Sequence, residues 1–101
     1  MNQRYSAQFL YRLRNEVPMI QVFRVLQWPH KKRDGFVRFL CPICQEFNTA
    51  VNPATNLGRC FRCKKNFNPI DFLMLVRSCD FLMAVSYLTS LLPPPHPPSD
   101  A

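Results

Sequence analysis

Four cysteines in two pairs constrain this chain more than any other feature. Cys41-Pro42-Ile43-Cys44 and Cys60-Phe61-Arg62-Cys63 leave fifteen residues between them, a C-x2-C-x15-C-x2-C arrangement. That spacing is the one expected of a zinc ribbon, in which each pair turns back on itself and a hairpin brings the pairs together. Four thiolates close a tetrahedron and leave no open position for water, so the metal is structural rather than catalytic. A thioredoxin-like reading needs one such pair in a βαβ setting, which is absent here. A rubredoxin-like iron site favours Gly after each pair, where this chain has Gln45 and Lys64. The sequence therefore predicts one structural Zn2+ held by Cys41, Cys44, Cys60 and Cys63. The fifth cysteine, Cys79, reads as a buried or half-buried spacer between helices.

A staple of this kind suits the size of the chain. At 101 residues and 48% apolar composition it makes a single small core. A domain this short buries roughly 60–65% of the surface its unfolded form exposes. With 13% aromatic residues it is too apolar for a disordered chain, and too short for a self-contained multi-step enzyme. No secretory signal is visible, because Arg4, Arg12 and Arg14 interrupt the apolar character of the first residues. The longest uncharged stretch runs only from Phe81 to the prolines at Pro93, well short of the roughly 20 apolar residues a membrane span needs. The expectation is a cytoplasmic, reducing location, where cysteines hold metal more often than they pair.

Local signals sketch a small α+β fold: a short antiparallel sheet carries the zinc site between N-terminal and C-terminal helices. Residues 7–14 and 18–27 read as helices, with Pro18 as the first helical residue of the second. Pro29 to Gly35 reads as a polar loop. Residues 36–40, 48–52 and 57–61 read as strands, the last two joined by the turn-forming Pro53-Ala54-Thr55-Asn56. Asn68 and Asp80 read as N-caps, with Pro69 at the first helical position. They open helices over 69–77 and from Phe81 to about Leu91. In the last helix Phe81, Val85, Leu88 and Leu92 share a face. The domain is expected over residues 1–92 with its ribbon core at about 36–67, followed by a proline-rich extended tail at 93–101.

The chain carries a formal charge of +7, and residues 31–65 hold eight of its 13 Lys and Arg against two carboxylates. Four thiolates and a divalent ion lower the loaded charge to about +5. Single strands are bound by pairing cations for phosphates with flat rings for bases. Phe36-Val37-Arg38-Phe39 and Arg59-Cys60-Phe61-Arg62 interleave the two. The candidate nucleic-acid contacts are Arg38, Arg59, Arg62, Lys64 and Lys65, with Phe36 or Phe61 stacking on a base. Each has a plainer reading. The basic run at 59–65 also screens a buried dianion, and Phe61 also packs against the ribbon. Phe39 and Phe47 read as core, while Trp28 is open either way. Lys31-Lys32-Arg33 is a solvated loop or the edge of a phosphate track. His30 and His96 carry no ligand signal.

From about Glu16 to Leu92 the chain resembles the N-terminal zinc-binding domain of bacterial DNA primases. The resemblance rests on Leu40-Cys41-Pro42, Val51-Asn52-Pro53, Cys60-Phe61-x-Cys63, Ile70-Asp71-Phe72-Leu73-Met74 and the helix bearing Ala84, Val85 and Leu88. That family places His at the second ligand position, where this chain has Cys44. Its glycine-rich turn after the last ligand is replaced by Lys64-Lys65-Asn66-Phe67. The resemblance implies a module that engages single-stranded template DNA in replication, without the separate magnesium-dependent domain that makes primers. It implies no enzyme activity in this chain, and a primase catalytic domain or replicative helicase as possible partner. The rival reading is an adaptor that docks such a partner through Leu82, Met83 and Tyr87, with the zinc purely a scaffold. A regulator reading duplex DNA ranks last, for want of a basic recognition helix.

Overall fold

A computed structural model describes residues 5–92. The expected tail at 93–101, with His96, lies outside them. Two helices come first, α1 (Ala7–Glu16) and α2 (Met19–Leu26). Five short strands follow: β1 (His30–Arg33), β2 (Phe36–Phe39), β3 (Thr49–Asn52), β4 (Leu57–Cys60) and β5 (Lys65–Phe67). Two more helices, α3 (Pro69–Arg77) and α4 (Phe81–Thr89), complete the order. The strands form two antiparallel sheets, β1-β2 and β3-β4-β5. The fold is thus the expected small α+β ribbon between helices, with two sheets in place of one.

Helix ends follow from their caps. Ser6 Oγ accepts from Phe9 N–H, Asn68 Oδ1 from Asp71 N–H and Asp80 Oδ1 from Met83 N–H. Pro18 stands one residue outside α2, with ψ 138, and its own side chain offers no cap. Asn56, in the β3–β4 turn, supplies one instead: its Oδ1 accepts from Met19 N–H at 3.0 Å. Its Nδ2 donates to the carbonyls of Arg14 and Val17 at the α1–α2 break.

The segment read as a loop from Pro29 to Gly35 is in fact half a hairpin. Asp34 and Gly35 both take positive φ, 53° and 80°, the geometry of a two-residue type I′ turn. That turn sets Lys31 opposite Arg38 and Arg33 opposite Phe36. The short β5 is likewise an element that three polar-rich residues do not announce. It returns from the second cysteine pair to lie against β4.

The sheets meet through side chains. Thr49, fully buried, exchanges hydrogen bonds with both backbone groups of Phe39. Arg38 Nη1 donates to the Thr49 carbonyl at 3.0 Å. Below them lies an aromatic cluster: Phe23 stacks on Phe39 at 5.0 Å, and Phe72 meets Phe23, Trp28, Phe39 and Phe67 edge-on. Phe72, from α3, therefore joins helices to ribbon. The ring of Phe39 lies over Gly58, where an added Cβ would sit 2.8 Å from it. Phe47 is half-buried under the ammonium of Lys31 rather than in this core. Phe81, aligned with Val85 and Leu88 by spacing, is exposed at the first position of α4, and Ala84 completes the buried stripe. Among the described residues no single helix is long and apolar enough to cross a membrane, and α3 and α4 meet at 116°.

Candidate metal centre and nucleic-acid interface

Two knuckles of matching geometry build the metal centre. In the first, just after β2, Gln45 N–H donates to the Cys41 carbonyl at 2.9 Å and Ile43 N–H to Cys41 Sγ at 3.4 Å. In the second, at the end of β4, Lys64 N–H donates to the Cys60 carbonyl at 2.7 Å and Cys63 N–H to Cys60 Sγ at 3.3 Å. Gln45 and Lys64 hold equivalent places and both adopt left-handed backbone, φ 61° and 58°. The turn that is glycine-rich in the primase zinc domain is thus made here by a lysine. Phe61 N–H donates to the Asn48 carbonyl at 2.8 Å and ties one knuckle to the approach of the other.

The sulfurs converge as the spacing predicts. All four Sγ atoms lie within 4.8 Å of one another. Cys41 and Cys63 are 3.8 Å apart, Cys44 and Cys60 3.7 Å. A tetrahedron with Zn–S bonds near 2.3 Å has edges of about 3.8 Å, so the cluster fits zinc. Cys41 and Cys60 are buried, Cys44 and Cys63 half-buried. Burial pushes the Cys63 thiol up to about 12, aided by its sulfur neighbours Cys44 and Cys41. Cys44 is raised as well, chiefly by burial. Burial acts the same way on Cys60, but hydrogen bonds from the Cys63 N–H and the surrounding thiols overcome it and bring Cys60 down to about 7.

Around the centre, the candidate contact residues fall into separate neighbourhoods. The open face of the β3-β4-β5 sheet carries Arg59, whose Nη1 donates to Asn66 Oδ1 at 3.1 Å. Phe36 and Phe61, 50% and 54% exposed, line with it, Pro53, Leu57 and Asn66 a groove of about 560 Å³. Arg38 lines a different recess, with Lys31, Arg33 and Phe47. Lys65 lines a third, with Ile43, Met74, Leu75 and Cys79. Arg62 reaches Glu46 at 3.5 Å, and Lys64 is exposed. Cys79 is half-buried between α3 and α4, its sulfur 3.8 Å from the Leu73 carbonyl oxygen. Trp28, the residue left open by sequence, donates from Nε1 to the Leu40 carbonyl at 2.7 Å and so braces the chain just before the first ligand.

A closed four-thiolate site on two knuckles, carried by short antiparallel strands and clasped by helices, defines a structural zinc ribbon holding one Zn2+. The chain belongs to the CHC2 zinc finger family, the zinc ribbon of DnaG-type primases, whose model matches residues 5–93. It carries Cys44 at the second ligand position, where that family has His. A comparison with curated proteins returns no match.

Proposed function

We propose that this chain is the template-engaging module of a primer-synthesis system, binding single-stranded DNA while a separate catalytic domain makes the primer. The observation that carries the reading is the pair of exposed rings, Phe36 and Phe61, that share one groove with Arg59 over a zinc-stiffened sheet. Exposed rings beside a guanidinium offer the stacking faces and positive charge that single strands use. Arg38 and Lys65 line other recesses and Lys64 is exposed, so a strand seated in the groove would reach them beyond it, and a thiolate-held zinc suits a reducing, cytoplasmic setting. The zinc orders the surface, and binding is left to the side chains.

A fluorescent oligothymidylate titrated with zinc-loaded protein tests this. Single strands should bind more tightly than duplex. Neutralising four phosphates through Arg38, Arg59, Lys64 and Lys65 gives a slope of log K against log salt of about −3. Phe36→Ala and Phe61→Ala should each weaken binding by about 1–3 kcal/mol wherever a base stacks. Absence of binding at low salt, or indifference to Arg59→Gln, would count decisively against the reading.

A second reading has its own support. Leu82 and Met83 expose 43% and 62% of their surface on α4, and Leu75 exposes 45% on α3. Exposed apolar side chains of this kind suit docking to a primase catalytic domain or a replicative helicase. Met83→Asp should abolish that docking and leave oligonucleotide affinity unchanged.

A further inference from the structure

Lys31-Lys32-Arg33 folds as strand β1, and strand geometry sorts its charges. Period-two alternation puts Lys31 and Arg33 on one face of the hairpin and Lys32 on the other. Lys31, Arg33 and Arg38 accordingly line one recess of about 410 Å³, while Lys32 lines another beside Val37 and Met19. The register sets Lys31 directly across from Arg38. Like charges so opposed destabilise an antiparallel pair. Asp34 and Glu46 edge the recess, but Glu46 is engaged by Arg62 at 3.5 Å. Among the described residues neither carboxylate forms an ion pair with the three cations. Two of the cations are fixed in place. Arg38 is held by its 3.0 Å bond to the Thr49 carbonyl, and Lys31 stands with Nζ 4.5 Å over the Phe47 ring.

We infer that this recess is a phosphate-binding site, a second anchor for the strand whose bases occupy the aromatic groove. The inference rests on the proposed single-strand function and extends it. Phe36 is the joint between the two: it faces Arg33 across the hairpin, lies two residues from Arg38 on the same strand face, and itself lines the groove. The same three cations would also accept a free polyphosphate. Continuity with the groove favours backbone phosphates of the bound strand.

The zinc-loaded full chain and the fluorescent oligothymidylate provide the test. With six cations engaged the salt slope steepens to about −4, and the double variant Lys31→Gln/Arg33→Gln should lose about 1.4 of it. Lys32→Gln removes the same type of charge from the opposite face and should leave the slope unchanged. Zinc stoichiometry and circular dichroism check that each variant is folded. Should the double variant fail that check, Arg33→Gln alone should lose about 0.7. An equal loss from Lys32→Gln would mean that only net charge matters, and would overturn the site. An unchanged slope in the double variant, with Phe61→Ala still weakening binding, sinks the second anchor and leaves the single-strand reading standing. Failure of every form to bind the oligonucleotide sinks both. Inorganic tripolyphosphate should compete for the oligonucleotide in the parent chain and do so less in the double variant. Amide shifts at Lys31, Arg33 and Arg38 with tripolyphosphate, but none with the oligonucleotide, would make it a free-anion site and refute the strand anchor.

Discussion

Asn56 is one of two buried polar residues in the described chain, and its amide serves three backbone groups that are remote in sequence. It caps α2 from the far side of the ribbon because Pro18 cannot, and it does so at φ 56°, a conformation that Asn tolerates better than most residues. Asn56→Ala therefore removes a cap and leaves two carbonyls without their donor, besides straining the turn. A loss of about 3 kcal/mol is expected in denaturant unfolding of the zinc-loaded protein. Asn56→Gly relieves the backbone and not the amide, so it should recover about 1 kcal/mol of that loss. Gly58 makes the opposite demand. A methyl group there would meet the Phe39 ring at 2.8 Å, and that ring is buried and wedged against Phe23, Phe67 and Phe72. Gly58→Ala should cost about 1–3 kcal/mol by the same measurement.

At the scale of elements, the knuckles show how a motif's geometry outlasts its usual residues. Gln45 and Lys64 hold left-handed turns that a glycine would adopt without a Cβ penalty. Gln45→Gly, at a residue that does not line the candidate DNA groove, should raise the unfolding free energy by about 1 kcal/mol, read as an increased denaturant midpoint. Turn chemistry also decides what was legible in the sequence. Cysteine spacing gave the metal ligands, and Asn68-Pro69 and Asp80 gave the starts of α3 and α4, because each signal is local. The Asp34-Gly35 pair was an equally local hairpin signal. Its strand β1 was hidden because Lys-Lys-Arg has no β-branched or aromatic residue to mark a strand. The cap from Asn56 to Met19 spans 37 residues and leaves no mark in either segment. Phe36, Arg59 and Phe61 could be named from interleaving alone. Their separation from Arg38 and Lys65 depends on how two sheets and a helix pack, which no strand pattern encodes.

For the molecule as a whole, the question is whether the zinc holds one lobe or everything. No backbone ladder joins the two sheets. Thr49, Arg38 and the metal centre do, with Cys41 following the first sheet and Cys60 ending β4 of the second. Structural zinc contributes about 10–16 kcal/mol in small domains, which matches or exceeds the net stability of about 5–15 kcal/mol typical of a domain. Its removal would therefore melt at least residues 36–67. The loss should not stop there, because Phe39 and Phe67 belong to the ribbon and Phe23 and Phe72 to the helices, and all four rings share one cluster. Trp28 reports on that junction, packed edge-on to Phe72 and bonded to the Leu40 carbonyl. Chelation with thiol capping should thus abolish the helical far-ultraviolet dichroism and shift Trp28 fluorescence in a single transition. Protons compete with the metal for the same sulfurs, so less chelator should suffice at pH 6 than at pH 8. Fluorescence that shifts while helical dichroism persists would instead show α1 to α4 standing without the ribbon, and would confine the metal's role to the two knuckles.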